Sequence, residues 1–481
     1  MGAEKGKKIK IAIAGASGFV GRHLMKHLER VKNYQVRALT RSFEEDNKLL
    51  SVEEKNDSNI EWVQCDLFSM IDVETALEGA DYAIYLVHSM LPTSKLVQAN
   101  FQDNDLIIAD NFSRVAKKKG IKQIIYLGGI IPPVKDLSLH LKSRLETEET
   151  LRHYNIPVTS LRAGIIIGRG GSSFNILKKL VERLPVMILP SWTQNASKPV
   201  AIEDVIKSIE FCIGNKETFN KEYDLGGQNF MTYHELLEEM AAKLGHKRYF
   251  FKVSLFSPGL SKLWVSLITN TPKNLVYPLI QSLKHPMIPD KQKLLSIPNY
   301  KFKSFKESVE ASVDNEDINP RPSFGINIKG KTKYWGTQLK RKDVRSIQRL
   351  HRPENKSSAW IAQKYMEWLP QFFSFIIKVN IKKNVCSFVG PFFKTPLLEL
   401  SLSMKQSSPD RQIFYITGGY LASKDQGRGR FEFRETSCGK YFLVAIHEYI
   451  PSLPWFIYIY TQAVFHAFVM KKFQAFIKKM S

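Results

Sequence analysis

Three glycines near the beginning of the chain have the spacing of a diphosphate-binding turn. They lie between the apolar run Ile9–Ala14, which predicts a buried parallel strand, and the amphipathic segment Arg22–Arg30, which predicts a helix. Glycines in this context permit a tight turn and bring backbone N–H groups close to an anion at the positive end of a helix. The predicted dinucleotide site consists of the turn residues Gly15, Ser17, Gly18, Phe19, Val20 and Gly21.

The end of the second predicted strand indicates which dinucleotide the site prefers. Gln35–Thr40 is followed by Arg41, and no acid precedes Glu44. NAD sites usually place Asp or Glu at this point to accept hydrogen bonds from the ribose hydroxyls. Arg41 and Arg22 could instead hold a 2′-phosphate; the alternative is that both are solvated. The sequence favours NADP(H), with NAD(H) as the second choice.

Strands and helices alternate over the first third of the chain. After the first strand, the predicted strands are Gln35–Thr40, Ile60–Gln64, Tyr82–Val87, Lys122–Leu127 and Val158–Arg162. A long helix is predicted over Leu96–Gly120, and its buried stripe contains Ala109, Phe112, Val115 and Ala116. Strands separated by helices imply right-handed βαβ units in a doubly wound sheet. The predicted fold class of this part is therefore an α/β Rossmann domain.

We predict four regions along the 481 residues. Residues 1–168 form the Rossmann domain, 169–313 its remainder with a small substrate subdomain, 314–340 a linker rich in Pro, Gly and Asn, and 341–481 a C-terminal domain. The helices predicted in the second region are Ser173–Arg183, Asp204–Ile213, Thr232–Leu244, Pro258–Ile268 and Lys273–Leu283.

The C-terminal domain has the pattern of an α+β fold. Val344–Leu350 predicts a strand, Ala359–Ile377 an amphipathic helix, and Leu453–Lys479 a closing helix. The other predicted strands are Pro396–Ser403, Gln412–Thr417, Gly429–Arg434 and Tyr441–Tyr449. Consecutive strands before a long final helix indicate an antiparallel sheet curled around that helix.

The closing helix is too apolar for an ordinary exposed helix. Its apolar run is shorter than the about twenty residues that span a bilayer, and lysines follow it directly. Three interpretations remain open: a buried helix, which we favour, an interfacial segment with lysines on anionic headgroups, and a membrane span.

The charge of the chain suggests an anionic partner. The net charge is +24, and residues 331–481 contain 25 Lys and Arg against 9 Asp and Glu. A solvated basic surface is the alternative. Apolar aromatic helices accompany this charge and no nucleic-acid motif does, so an anionic membrane surface is favoured over nucleic acid. The oligomeric state is not predicted.

Four scattered cysteines indicate neither a disulfide framework nor a metal site. No secretory signal is visible, so we expect a cytoplasmic protein, with association with the inner face of the membrane left open.

Several motifs together resemble the short-chain dehydrogenase/reductases, most closely their atypical, NmrA-like and YbjT-like members. They are the glycine turn, Cys65-Asp66-Leu67, Asn111 in the long helix, Tyr85–Ser89, Tyr126–Gly129, Ser138–Arg144, Pro199–Asp204 and Tyr223–Gly227. The resemblance implies NAD(P) binding, with Asp66 at the adenine and His88 and Ser89 along the pyrophosphate or nicotinamide. Leu67 and Val87 are included in the predicted site. Asp66, His88 and Ser89 are equally plausible as plain turn residues.

The C-terminal region is similar to a domain of unknown function in the YbjT-like group, over Ser407–Arg411 and Gly427–Arg430. That similarity suggests a START-like, helix-grip fold with an apolar cavity.

The chain departs from the family at the catalytic positions. Active members use Tyr-x-x-x-Lys on the helix after the fifth strand, where the phenol delivers a proton and the lysine lowers its pKa. Here His140 and Arg144 occupy these positions, and Gly128-Gly129 replaces the usual serine. His140 has three open interpretations: a proton donor, a ligand of the nicotinamide ribose beside Arg144, or a surface histidine. Arg144 can hold ribose or phosphate oxygens but cannot share a proton.

Two functions follow from this pattern. The first is an NAD(P)H-dependent oxidoreductase or epimerase acting on an apolar substrate such as a quinone or lipid, with His140 and Arg144 as candidate catalytic residues. The second is a non-catalytic NADP(H)-binding redox sensor, or an assembly factor for a respiratory complex or membrane. Because a bound cofactor stabilises a fold whether or not it turns over, binding alone does not separate them.

Overall fold

The computed structural model describes residues 8–41, 59–88, 96–253, 273–313, 343–374, 377–391, 393–424 and 427–480. The predicted helix Pro258–Ile268, the predicted linker 314–340 and Ser89 lie outside these residues. The described residues form two compact units, which are considered separately: unit 1 contains residues 8–88 and 105–313, and unit 2 contains residues 96–104 and 343–480.

In chain order the strands are β1 (Ile9–Ala14), β2 (Tyr34–Thr40), β3 (Ile60–Gln64), β4 (Tyr82–Tyr85), β5 (Leu96–Gln98), β6 (Ile124–Gly129), β7 (Val158–Ala163), β8 (Ile166–Ile167), β9 (Val186–Leu189), β10 (Ala196–Ser197), β11 (Val200–Ala201), β12 (Glu222–Leu225), β13 (Met231–Thr232), β14 (Tyr249–Lys252), β15 (Val344–His351), β16 (Lys378–Lys382), β17 (Val385–Val389), β18 (Leu398–Leu402), β19 (Arg411–Gly418), β20 (Arg430–Glu435) and β21 (Tyr441–Tyr449). The α-helices are α1 (Phe19–Leu28), α2 (Met70–Ala76), α3 (Phe101–Lys118), α4 (Leu139–Arg152), α5 (Ser172–Arg183), α6 (Ile202–Cys212), α7 (Tyr233–Lys243), α8 (Lys273–Ser282), α9 (Phe305–Val313), α10 (Ser358–Phe372), α11 (Trp455–Tyr460) and α12 (Gln462–Lys478).

Unit 1 is built on a seven-stranded sheet in the order β12-β7-β6-β4-β1-β2-β3. Every pairing in it is parallel. The predicted stripe of α3 is buried against this sheet, where the Phe112 ring lies 5.1 Å from the Tyr85 ring. The strand order reverses at β1, between β2 and β4, and ligands of such sheets bind at the carboxyl ends beside this reversal. The predicted α/β Rossmann fold is confirmed.

The long helix is shorter than predicted. Leu96–Gln98 is strand β5, and it pairs in parallel with β15 in the sheet of unit 2. Helix α3 begins only at Phe101, because the Asn100 side chain accepts a hydrogen bond of 2.8 Å from the Asp103 amide and caps the first turn. Residues 96–104, predicted to belong to the Rossmann domain, are therefore part of unit 2.

Unit 2 is an α+β arrangement, as predicted. Its sheet has the order β16-β17-β18-β19-β20-β21-β15-β5, antiparallel except for the β15–β5 pair. One face packs on α10 and α12 through aromatic side chains: the Tyr365 ring lies 5.1 Å from Phe473 and 5.2 Å from Phe431. The suggested START-like fold with an apolar cavity stays a prediction.

Two helix predictions in unit 2 are wrong in extent. The helix predicted over Ala359–Ile377 ends at Phe372, and strands β16 and β17 follow it, both missed by the sequence pattern. The predicted closing helix is two helices, because Thr461 has φ −121° and ψ −86° and interrupts the helical backbone. None of the helices in the described part of the chain is long and apolar enough to cross a bilayer.

Part of the basic surplus lies inside unit 2. Along β20, Arg430, Glu432 and Arg434 alternate with two core phenylalanines and so point to the opposite face, yet all three are buried. Glu432 receives hydrogen bonds from Arg411 Nε at 2.8 Å and Arg434 Nε at 2.7 Å. These arginines therefore do not contribute to a surface for an anionic partner.

Candidate functional site

The glycine turn connects β1 to α1 through positions with little room for a side chain. Gly15 has φ +85°, and a Cβ there would lie 3.0 Å from the backbone carbon of Leu86. A Cβ on Gly21 would lie 2.3 Å from the Gly15 oxygen and 2.5 Å from the Ala16 oxygen. Gly18 is less restricted, since its Cβ would meet only the Gly15 oxygen, at 3.1 Å. The compact shape of the turn therefore requires glycine at positions 15 and 21.

The first turn of α1 is suited to a diphosphate. Gly18 is the N-cap without a side-chain hydrogen bond, and no acid lies in the first turn. The first intrahelical bond is from the Arg22 amide to the Gly18 oxygen, so the amides of Phe19, Val20 and Gly21 precede it and face the end of the helix. The fit to the diphosphate of a nicotinamide dinucleotide is good, because these donors and the helix dipole both favour an anion.

Two basic residues, one after β2 and one in α1, belong to the predicted site. Arg41 is exposed directly after buried Thr40, and its carbonyl accepts a hydrogen bond of 3.0 Å from Gln64 Nε2. Arg22 Nη1 donates to the Ser17 carbonyl at 3.1 Å, so this guanidinium contacts the turn itself. Of the two arginines proposed for a 2′-phosphate, Arg41 has the more accessible side chain.

The loop after β3 is held by the buried Asn111. Its side-chain nitrogen donates to the carbonyls of Leu67 and Phe68, at 3.0 and 3.1 Å. An oxygen of Asp66 accepts a hydrogen bond of 3.1 Å from the Phe68 amide. Asp66 and Leu67 are thus fixed at the carboxyl end of β3, and Asn111 supports that loop.

A buried ion pair lies behind the end of β4. Arg144 on α4 donates through Nη2 to Asp105 on α3 and through Nη1 to the Val87 carbonyl, the latter at 3.2 Å. Their side chains are 5% and 1% exposed. His88 Nδ1 and the Ser143 hydroxyl lie 3.1 and 3.3 Å from the same Asp105 oxygen. We call Asp105, Arg144, His88 and Ser143 the Asp105 cluster.

Asp105 was missed by the sequence analysis, although a signal existed. It lies four residues before Ala109 and thus on the same face of α3 as the buried stripe. An acid on an apolar helix face needs a buried partner, because an unpaired charge there is costly. Arg144 is that partner, and both of its terminal nitrogens donate hydrogen bonds within the protein, to Asp105 and to the Val87 carbonyl.

His140 lies beside this cluster. Its ring centroid is 5.0 Å from that of His88, and its Nδ1 is 3.1 Å from the Ser282 hydroxyl oxygen. Burial, and then the electrostatic interactions with the neighbouring His88 ring and the Arg144 cation, hold the pKa of His140 well below its ordinary value. Burial, and then Arg144, also lower the pKa of His88, against the effect of Asp105. Both imidazoles are therefore neutral at pH 7, and neither supplies a cationic acid.

Arg144 stays charged in its buried position. Burial works against the charged form, but the electrostatic effects of Tyr126 and Asp105 outweigh it and raise the pKa of Arg144. Tyr126 donates a 3.0 Å hydrogen bond to the Arg144 carbonyl, and burial raises the pKa of this phenol. The guanidinium is thus a fixed cation that positions α4 against β4 and β6.

The end of β6 is apolar. Gly128 and Gly129 close the strand, and a Cβ on Gly129 would lie 3.5 Å from Leu141 Cδ2. The adjoining cluster consists of Ile130, Ile131, Leu137, Leu141 and Met287. The end of β6 therefore carries no side-chain hydroxyl where a serine is usual in the family that the sequence resembles.

The structure brings most of the predicted site residues to one edge of the sheet. The glycine turn, Arg41, Asp66-Leu67, Val87-His88 and the His140 end of α4 follow the carboxyl ends of β1, β2, β3, β4 and β6. This edge includes the reversal of strand order at β1, which is the usual ligand position in open α/β sheets. The edge is the candidate cofactor site.

Two curated proteins are similar to parts of this chain. Auxiliary protein GraX of Staphylococcus aureus is 30% identical over 122 residues, which are 25% of this chain and 37% of that protein. GDP-mannose 3,5-epimerase of Arabidopsis thaliana is 26% identical over 178 residues, covering 31% and 44% of the two chains. This chain thus spans less than half the length of these curated relatives.

Among solved structures, the NADPH-dependent quinone oxidoreductase QOR2 of Escherichia coli superposes with a TM-score of 0.49 and 19% identity, over 62% of this chain and 98% of that chain. Residues 15–179 match a family described as NAD(P)H-binding, and they include the glycine turn, the Asp105 cluster and α4. Residues 15–179 of this chain are therefore an NAD(P)H-binding domain.

Proposed function

We propose that this chain is an NADPH-dependent reductase of a small apolar electron acceptor of the quinone class. The observation that carries the proposal is the pair of residues at the catalytic positions. His140 is neutral at pH 7, and Arg144 is bound to Asp105, so the site offers hydride chemistry without a cationic proton donor.

The nature of the acceptor follows from the missing acid. Bound NADPH would supply a hydride. An ordinary ketone that accepts a hydride becomes a strongly basic alkoxide, which needs a proton at the same moment. A quinone becomes a hydroquinone anion, a phenolate whose conjugate acid has a pKa of about 10, as for tyrosine, and water can supply its second proton afterwards. A site in which His140 is neutral therefore suits a quinone and not an ordinary ketone.

The surroundings of β6 support an apolar substrate. The glycine pair Gly128-Gly129 provides no side-chain hydroxyl to orient a carbonyl, and Ile130, Leu141 and Met287 form a buried apolar cluster beside it. The polarity at this end of β6 therefore suits an apolar ring better than a strongly polar carbonyl compound.

The residues that would hold the cofactor are distributed along the candidate site. The amides at the beginning of α1 suit the diphosphate, and Val87 and His88 lie after β4, beside the turn. Arg41, exposed after β2, suits a 2′-phosphate, because a guanidinium forms charge-assisted hydrogen bonds with phosphate oxygens. We therefore propose NADPH rather than NADH as the preferred form.

The second candidate is a non-catalytic NADP(H) sensor or assembly factor. The Asp105 cluster favours it, since Arg144 is bound by protein atoms where active family members present a lysine to the ribose.

An epimerase is less well supported, because it needs a base as well as an acid, and burial raises the pKa of both Tyr85 and Tyr126 near the site.

The test is NADPH oxidation by the full chain with a series of quinones and, separately, with simple aldehydes and ketones. We expect oxidation with quinones only. His140→Ala should retain most of the rate, with exposed Lys142→Ala as the matched control on the same helix. Gly21→Ala should abolish the rate together with nucleotide binding.

Two results would contradict the proposal. If calorimetry shows NADPH binding but no quinone is reduced, the sensor is the better interpretation. If His140→Ala abolishes quinone reduction while NADPH binding persists, a proton from His140 is required after all.

The affinity for NADPH relative to NADH, compared between the unmodified chain and Arg41→Ala, tests the cofactor preference separately.

A further inference from the structure

The helices of unit 2 expose a group of aromatic and aliphatic side chains. On α12, Val464, Phe465 and Phe468 are 57%, 48% and 45% exposed. The Phe465 ring lies 5.3 Å from Phe373, and the Phe468 ring lies 6.3 Å from Phe372, at the end of α10. These five side chains form one continuous surface, which we call the aromatic patch.

The neighbouring helix α11 extends the exposed apolar character. Phe456 and Tyr460, on the turns that precede α12, are 68% and 77% exposed. Single exposed apolar residues are normal on a protein surface, but a contiguous set usually marks an interaction site. The aromatic patch therefore has the composition of an interaction site.

Two segments that carry the patch are basic. Residues 449–481 contain four lysines and no acid, and residues 368–398 also contain four lysines and no acid. The exposed pair Lys471-Lys472 follows the patch directly, and Lys472 Nζ lies 5.4 Å from the Phe468 ring centroid. Unlike the buried arginines of β20, these lysines are available to an external anion.

We propose that the aromatic patch binds the surface of an anionic lipid bilayer. Aromatic rings that enter the headgroup region, with lysines at the same level on anionic headgroups, are the recognised composition of an interfacial helix. A second copy of this chain is a poorer occupant, because its lysines would face lysines of the same sign. The described helices do not span a bilayer, so the patch would lie on the membrane surface.

The test is co-sedimentation of the full chain with vesicles of phosphatidylcholine alone and of phosphatidylcholine mixed with phosphatidylglycerol. We expect tighter binding to the mixed vesicles, weakened by added salt. Lys471→Gln/Lys472→Gln should weaken binding to mixed vesicles about 25-fold, since each lysine near the surface contributes about fivefold. Phe465→Ser/Phe468→Ser should weaken binding to mixed vesicles at least about tenfold, because the transfer of two aromatic rings from water into the bilayer surface is lost.

The matched control is Lys216→Gln/Lys291→Gln, which removes two exposed lysines of unit 1 and should bind vesicles like the unmodified chain. All variants alter exposed side chains, and unchanged thermal unfolding verifies their folding. Equal binding to both vesicle types, or binding to neither, would overturn the proposal. Self-association that Phe465→Ser/Phe468→Ser abolishes, without vesicle binding, would assign the patch to a second copy. Vesicle binding is measured without nucleotide turnover, so these outcomes are independent of the proposed reductase activity.

Discussion

Replacement of Asp105 by asparagine tests whether the Asp105 cluster holds unit 1 together. In Asp105→Asn the Arg144 guanidinium, 5% exposed, loses its counter-charge, and its acceptors become the Val87 carbonyl and a neutral amide oxygen in place of the carboxylate. Loss of one partner from a buried ion pair costs about 3–5 kcal/mol, because the remaining charge is left in a poor solvent. For a unit of this size the expected fall in the unfolding midpoint is roughly 10 °C.

The assay is urea and thermal unfolding of the full chain, followed by tryptophan fluorescence. The matched control is Asp136→Asn, since the Asp136 side chain is 81% exposed and its ion pairs with Lys142 and Lys284 are at the surface. We expect this variant to unfold almost like the unmodified chain.

A double-mutant cycle makes the result specific to the pair. Asp105→Asn/Arg144→Gln should be destabilised by clearly less than the sum of the two single variants, because no unpaired charge remains. A loss below about 1 kcal/mol in Asp105→Asn, or strict additivity in the cycle, would show that the pair is not the stabilising contact described here.

Two further predictions concern the same unit. Gly21→Ala should abolish NADPH binding in calorimetry and lower the unfolding midpoint. Gly18→Ala should have both effects to a smaller extent, since its Cβ meets one oxygen at 3.1 Å. Equal effects of the two variants would contradict the conclusion that Gly21 has less room for a side chain than Gly18. The free energy of unfolding should fall as the pH decreases below about 6.5, because the unfolded chain then binds protons that folded His88 and His140 do not bind. In His140→Gln this pH dependence, measured by urea unfolding at several pH values, should be shallower, and an unchanged slope would refute the assignment.

The sequence was informative where local pattern and tertiary packing agree. Strands β1, β3 and β21 have the predicted bounds, because each is an apolar or alternating run bounded by turn residues. The glycine turn was predictable for the same reason, since three glycines between a strand and a helix leave few other structures.

The parts that were missed depend on distant partners. Leu96–Gln98 was predicted as helix, but it pairs with β15, which is remote in the sequence. Asp105 is polar on an apolar stripe, and only the position of Arg144 explains it. The basic surplus of the last third was interpreted as surface charge, although Arg411 and Arg434 are buried around Glu432. Single-sequence patterns do not contain this information.

The position of β5 has a consequence for synthesis of the chain. Its partner strand contains Gln348, whose side chain donates to the carbonyl of Gln98, 250 positions earlier in the chain. At about 5–20 residues per second, the ribosome needs roughly 10–50 s to deliver that partner. During this interval β5 has no strand to pair with, and any truncation before β15 makes the condition permanent. Forms of this protein shortened in this way should therefore lose β5 even when the nucleotide-binding sheet is intact.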